Sequence, residues 1–251
     1  MAANYGNLGN VYKTRGDLDK TIEFQQKALK LYEDLGSKEG MANTYGNLGV
    51  VYKTRGDLDK AIELYQKALK LHETLGKKEG MAADYNNLGF AYSIGKDLDK
   101  AIEFHQKALK LSEDLGNKEG MARDYTNLGI VYRTLGDLNT AIEFHQKALK
   151  LAEDLSHKEI MAINYLNLGI VYETLGDLNT AIEFHQKALK LSEDLGNKEG
   201  MAQSYGNLGT VYKLQGNKIE AKRYFLMSLE LFKQLDSPNA QIVQTLLDAL
   251  Q

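Results

Sequence analysis

Among its 251 residues the chain has no cysteine, a single proline and no uninterrupted apolar run long enough to cross a membrane. Without cysteine, neither a disulfide nor a cysteine-ligated metal can form, and the redox compartment stays open. A membrane helix needs about 18 or more consecutive apolar residues, and Met1 is followed by no signal-like segment, so the chain reads as soluble, untargeted and cytoplasmic. An excess of one charge is also lacking. With 31 Lys+Arg against 34 Asp+Glu the formal net charge is −3, which gives no global attraction to nucleic acid or to an anionic membrane. Neither is expected as a partner. The 43% hydrophobic and 26% charged content is that of an ordinary packed protein.

What is present is a repeat. Met1, Met41, Met81, Met121, Met161 and Met201 each open a copy of one 40-residue segment, written most clearly as MARDYTNLGIVYRTLGDLNTAIEFHQKALKLAEDLSHKEI from Met121 to Ile160. A strict period of this length signals a stacked array whose core grows with each copy. The expected organisation is one domain, 1–251, with copies at 1–40, 41–80, 81–120, 121–160, 161–200 and 201–240 and a capping helix over 241–251.

Each copy reads as two helices. Met121, Tyr125, Leu128 and Tyr132 follow i, i+4, i+7, i+11 spacing and form the core face of a first helix, A. Gly136 can take the left-handed conformation that ends a helix, and Asp137 can cap the next. Leu138, Ala141, Ile142, Phe144, Ala148, Leu149, Leu151 and Leu155 then occupy about half the circumference of a second helix, B. Glu143, Gln146, Lys147, Lys150, Glu153 and Asp154 fill its wet half. Such a hairpin is too small to bury its apolar face until the next copy stacks on it.

Glycine recurs inside helix A at Gly9, Gly49, Gly89, Gly129, Gly169 and Gly209, where it costs roughly 1 kcal/mol relative to alanine. Close approach of another helix is the expected reason. In copy three the SIGKD stretch from Ser93 to Asp97 puts Lys96 at the usual glycine position, so either Gly95 ends helix A one residue early or Lys96 adopts a mildly strained turn, and the former is expected. The two ends differ. After Gly216 copy six departs from the repeat, and Pro238 precedes a capping segment. The lead-in turn seen at Lys38 to Gly40 has no counterpart before Met1, which reads as a cut from a longer protein with an uncovered apolar face.

The combination Tyr125, Asn127, Leu128, Gly129, Tyr132, Gly136, Ala141, Ala148 and Leu149, repeated over the whole chain, resembles the tetratricopeptide repeat. Two departures stand out. That family's usual period is about 34 residues with a proline closing helix B, whereas the period here is longer and Glu153 stands at the proline position. Helix B should therefore run on to near Gly116 and Gly196 in copies three and five. The longer form is similar to the repeats of kinesin light chain and of Pins-like adaptors. The resemblance implies an all-α solenoid, a right-handed superhelix of six helix-turn-helix units plus the capping helix, with helix A faces lining a concave groove. It further implies that the repeated asparagine of helix A binds peptide backbone.

Catalytic chemistry finds no support. His105, His145 and His185 recur one copy apart in helix B, and packed helices lie about 10 Å apart, too far for shared ligation. Gln25, Tyr65 and Phe225 stand at the same position, so these histidines read as packed and hydrogen-bonded. His72 and His157 read as surface. Carboxylate pairs such as Glu33 with Asp34 and Glu113 with Asp114 lie among lysines on the wet half of helix B. The glycines follow the period rather than clustering into a phosphate-cradling loop. No catalytic residue, metal site or cofactor is expected, and the chain is not expected to be an enzyme.

The remaining surface is the face of helix A opposite its core, at the third, seventh, tenth and fourteenth positions of each copy. The seventh never varies: Asn7, Asn47, Asn87, Asn127, Asn167 and Asn207, although asparagine is a poor helix former. A side-chain amide carries donors and an acceptor that match an extended backbone, so these residues are candidate peptide ligands. Asparagines that instead fix the stack are the competing reading. Around them Phe90, Ile94, Ile130, Ile163, Leu166 and Ile170 are unexpectedly apolar, as binding surfaces are. At the thirteenth position Lys13, Lys53 and Arg133 bring positive charge, Lys213 follows, and Glu173 is the exception. A protein or peptide with an apolar centre and some acidic residues suits this face. The leading function is a scaffold that binds an extended or helical segment. The alternatives are a peptide-sensing module of a larger protein and a self-associating array, including a homodimer through the open N-terminal end.

Overall fold

The computed structural model describes residues 1–250, and thirteen α-helices with no strand are found among them. They fall into two compact units, residues 1–117 and 118–251. The first contains α1 (Ala2–Thr14), α2 (Leu18–Asp34), α3 (Lys38–Thr54), α4 (Leu58–Leu75), α5 (Lys78–Ile94) and α6 (Leu98–Asp114). The second contains α7 (Lys118–Leu135), α8 (Leu138–Asp154), α9 (Lys158–Leu175), α10 (Leu178–Asp194), α11 (Lys198–Leu214), α12 (Lys218–Gln234) and α13 (Asn239–Asp248). In each unit consecutive helices pack together. The odd-numbered helices also touch one another, α3 with α5 in the first unit and α7 with α9 and α9 with α11 in the second. These are the A helices, set side by side.

Local chemistry sets the helix ends. Asp17, Asp57, Asp97, Asp137 and Asp177 each accept a bond from the backbone N–H three residues on, satisfying one of the orphan donors of the first turn. Just before each sits a residue with positive φ, as at Gly136 (φ 90°). Copy three overturns the expected early stop. Helix α5 ends at Ile94, Gly95 is right-handed, and Lys96 itself takes φ 63°. The hydrogen bonds explain why. Asp97 N–H reaches Tyr92 O and Lys96 N–H reaches Ser93 O, as Asp57 and Gly56 reach Tyr52 and Lys53 in the copy before. The turn is held from both sides, so the left-handed position stays where the helices need it, whichever residue stands there.

Three other boundaries differ from expectation. Lys38 to Gly40 is the first turn of α3, capped by the Ser37 hydroxyl, rather than a lead-in turn. Leu155, expected on the apolar stripe of helix B, follows the last helical residue of α8 and is 40% exposed. The capping helix begins at Asn239, two residues earlier than expected, behind Pro238 with φ −60°, a value proline presets for a helix start. It ends at Asp248, and Gln251 lies outside the described residues. Val243 and Leu247 of α13 pack with Phe225, Leu229 and Phe232 of α12.

The hairpins repeat one internal seam. Tyr125 and Tyr132 of α7 meet the Phe144 ring of α8 at centroid distances of 5.9 and 5.3 Å, and Tyr165 and Tyr172 meet Phe184 at 6.0 and 5.4 Å. The helix A glycine belongs to the same seam. A Cβ on Gly129 would stand 2.6 Å from His145 Cε1, and one on Gly49 would stand 2.5 Å from the Tyr65 ring. The close approach inferred from the six glycines is thus made by one helix B side chain of the same copy. Burial on helix A is broader than the expected stripe. Ala122, Asp124, Thr126, Leu128, Gly129 and Val131 are the buried residues of α7, because helix B and the neighbouring hairpin grip it from two sides.

Candidate functional site

In the second unit the open face of α7, α9 and α11 carries most of the expected site. Asn127 and Asn207 are half-buried and Asn167 is buried. Asn167 donates from Nδ2 to Ile163 O in its own helix at 2.9 Å. That bond turns the amide along α9 instead of across to a neighbour. Ile163 is 50% exposed, while Ile130, Leu166 and Ile170 are half-buried. Ile163, Leu166 and Asn167 wall a cavity of about 350 Å³ that reaches Ser192 and Gln203. Leu166, Ile170 and Asn207 wall another of about 300 Å³, closed by Phe232, Ile242 and Val243. The second has the apolar, few-polar-groups character of ligand sites, whereas the first is also lined by Glu159, Asn197 and Glu199.

Charge on this face is held out of water. Arg133 on α7 is half-buried, burial lowers its pKa, and its Nε has no hydrogen-bond partner among the described residues. Glu173, at the same position on α9, has its pKa raised by burial. Desolvation is the sole influence on either group, so neither charge is relieved by a neighbour of opposite sign. An uncompensated, partly buried charge is expensive. Lys213 on α11 is half-buried.

In the first unit Asn47 and Asn87 are half-buried, and Asn7 and Lys13 are exposed. Lys53 is half-buried, and its pKa is lowered first by burial and then by Lys13. Its Nζ lies 4.3 Å from the centroid of the Phe90 ring, a cation–π contact. Phe90 and Ile94 are each 47% exposed.

The histidines divide. His105 Nδ1 lies 2.9 Å from Asn86 Oδ1 and His145 Nδ1 lies 2.8 Å from Asn164 Oδ1. His185 departs from the expected bonded state, since neither of its buried ring nitrogens has a partner among the described residues. Burial pushes all three down to about 4. His72, expected on the surface, is buried at 6% exposure with Nδ1 2.6 Å from Asp84 Oδ2. It falls on the side of α4 that meets α5 of the next hairpin, with its ring against Gly80. Burial raises the Asp84 pKa to about 6, and the bond to His72 partly offsets this. His157 is partly buried and caps α9 by accepting from Ile160 N–H. The expected surface reading missed the Asp84–His72 pair. Its sequence signal is the polar fourth position of helix A, which reads Asn4, Thr44, Asp84, Asp124, Asn164 and Ser204.

A model of the tetratricopeptide-repeat family matches residues 1–74, 81–154 and 160–234. No curated protein sequence matches the chain. Among solved structures, BtubC (BKLC) from P. vanneervenii is 25% identical with a TM-score of 0.74, over 87% of this chain and 92% of that one. A signal-transduction ATPase with a tetratricopeptide-repeat sensor from Pyrococcus horikoshii superposes at 0.79 with 19% identity, over 98% of this chain and 38% of that one. A Rap protein complexed with Competence and Sporulation Factor superposes at 0.72 with 15% identity, over 98% and 73%. The last two likenesses are of fold.

Proposed function

The chain belongs to the tetratricopeptide-repeat family, and on that premise we propose that it is a non-catalytic scaffold that holds an extended or helical peptide segment on its helix A faces. Its coarse role is that of a protein-interaction or regulatory module. The observation that carries the finer reading is the pair Arg133 and Glu173, each half out of water with no opposite charge contributing to its shift, on the same set of A helices whose Ile163, Leu166 and Ile170 wall cavities. A partner segment with an apolar anchor, an acidic group for Arg133 and a basic group for Glu173 supplies what these side chains lack. Asn127, Asn167 and Asn207, with Asn7, Asn47 and Asn87 in the first unit, are assigned to the backbone of that segment. Lys13 and Lys53 with Phe90 and Ile94 are assigned to its side chains. The complex of a Rap protein with Competence and Sporulation Factor supports the reading as a precedent on the same fold.

The test is affinity for peptides selected on the chain. Replacing both Asn127 and Asn167 by alanine should weaken binding at least tenfold, about 1.4 kcal/mol, with helix content unchanged by circular dichroism. Unchanged affinity would remove the asparagines from the site.

A further inference from the structure

A cavity of about 360 Å³ opens in the first unit between α3 and α5. Its walls are small or amide-bearing, including Gly46, Asn47 and Asn87, and its only charged or titratable lining groups are His72 and Asp84. The Asp84 side chain is 4% exposed. Its Oδ2 is taken by His72 Nδ1, whereas Oδ1 faces α3, 4.0 Å from where a Cβ on Gly46 would stand. A carboxylate oxygen turned toward a cavity and not engaged by His72 can accept a further donor there. The shape of the demand is specific. With Oδ2 already engaged by His72, the two parallel bonds of a guanidinium fork would have to share that oxygen, which disfavours the fork. A primary ammonium has three donors on a compact charge, and Oδ1 with the amide oxygens of Asn47 and Asn87 offers three acceptors on one cavity.

We propose that this cavity receives the ammonium group of a lysine in the bound segment, with Asp84 as its counter-charge; the assignment rests on the peptide-binding reading above. His72 is a positioning residue that turns Oδ1 toward the cavity. The experiment uses the full chain at pH 7.5 with n-butylammonium, n-butylguanidinium and 1-butanol as probes, read from the side-chain amide resonances of Asn47 and Asn87. Butylammonium should shift them saturably, butylguanidinium should bind at least tenfold more weakly, and 1-butanol should do nothing. Asp84→Asn should weaken butylammonium binding at least tenfold. Gly46→Leu fills the cavity without touching the acid and favours the helix, so it should abolish binding in a chain that remains folded. Equal binding by wild type and both variants, or no shift with butylammonium, would overturn the pocket. Peptides captured without lysine enrichment, and indifferent to Asp84→Asn, would overturn it while leaving the groove reading intact. Saturable butylammonium binding by a chain that captures no peptide would overturn the peptide lysine as the source and make free amines the ligand.

Discussion

The seam between α4 and α5 and the seam between α8 and α9 occupy the same place in the repeat and are closed by different chemistry. In the first, His72 lies on Gly80 and bonds to Asp84 beside an open cavity. In the second, Ile160 and Ala152 pack together with Ala122 in an apolar cluster, and Asn164 spends its amide on Thr126, Ile160 O and His145. Inside the hairpins the tyrosine-on-ring seam recurs in five copies, with Leu64 in place of the ring in copy two. The difference teaches that the seam joining one hairpin to the next accepts either apolar or polar closure, and that a polar site can be built there without breaking the stack.

The largest effect that sharpens this contrast is the response to acid. His145 and His185 in the second unit titrate at about 4 in the folded chain against about 6.5 when unfolded. Below 6.5 the unfolded state binds more protons, so stability is lost as pH falls from 6.5 toward 4. At pH 5 each should have forfeited about 2 kcal/mol, or about 4 for the two. The first unit has His105 with the same sign and Asp84 with the opposite one, while in the second unit Glu173, whose pKa burial also raises, returns part of the loss. Asp84 is raised to about 6, so its desolvation penalty is relieved as pH falls through 6, returning about 1 kcal/mol at pH 5. Native-state hydrogen exchange at pH 7 and pH 5 should therefore show protection falling more in α8 to α11 than in α4 to α6. Equal losses would break the contrast. His185→Phe, which puts in the residue found at Phe225 and removes two orphan nitrogens, should halve the loss in the second unit.

Next in size is truncation at the seam. His72→Ala leaves Asp84 buried without its partner and should destabilise by about 3 kcal/mol in urea unfolding. Ser192→Ala at the equivalent position should cost less than about 1 kcal/mol, because its hydroxyl only returns to Ala188 O in its own helix. Glycine replacements give smaller effects than His72→Ala, and of opposite signs. Gly129→Ala presses on His145 and should destabilise by about 1–2 kcal/mol. Gly46→Ala meets only Asp84 Oδ1 at 4.0 Å and should stabilise by up to about 1 kcal/mol. Thermal unfolding of the two variants side by side checks the sign.

The hairpins, their caps and the recurring glycines were legible in the sequence because each depends on neighbours within one copy. Asp137 caps α8 and Gly136 turns the chain into it for local reasons. Residues set by contacts between copies were not. His72 looks isolated along the chain, and its partner Asp84 lies beyond a turn in the following helix. Lys96 was misread because glycine beside it offered an easier left-handed residue, whereas the hydrogen bonds of the turn decide the position. The asparagine period was visible, but the bond from Asn167 to Ile163 O depends on a rotamer, which spacing alone does not determine. The half-buried states of Arg133 and Glu173 likewise depend on how closely the A helices lie.

The most direct measurement is capture of a random peptide library on the purified chain, run in parallel with a variant carrying Asn127→Ala, Asn167→Ala and Asn207→Ala. The expected result is enrichment by the wild type of segments sharing an apolar anchor flanked by acidic and basic residues, and loss of that enrichment by the variant. A wild type that enriches nothing, or a variant that enriches the same peptides as strongly, would contradict peptide binding on the helix A face.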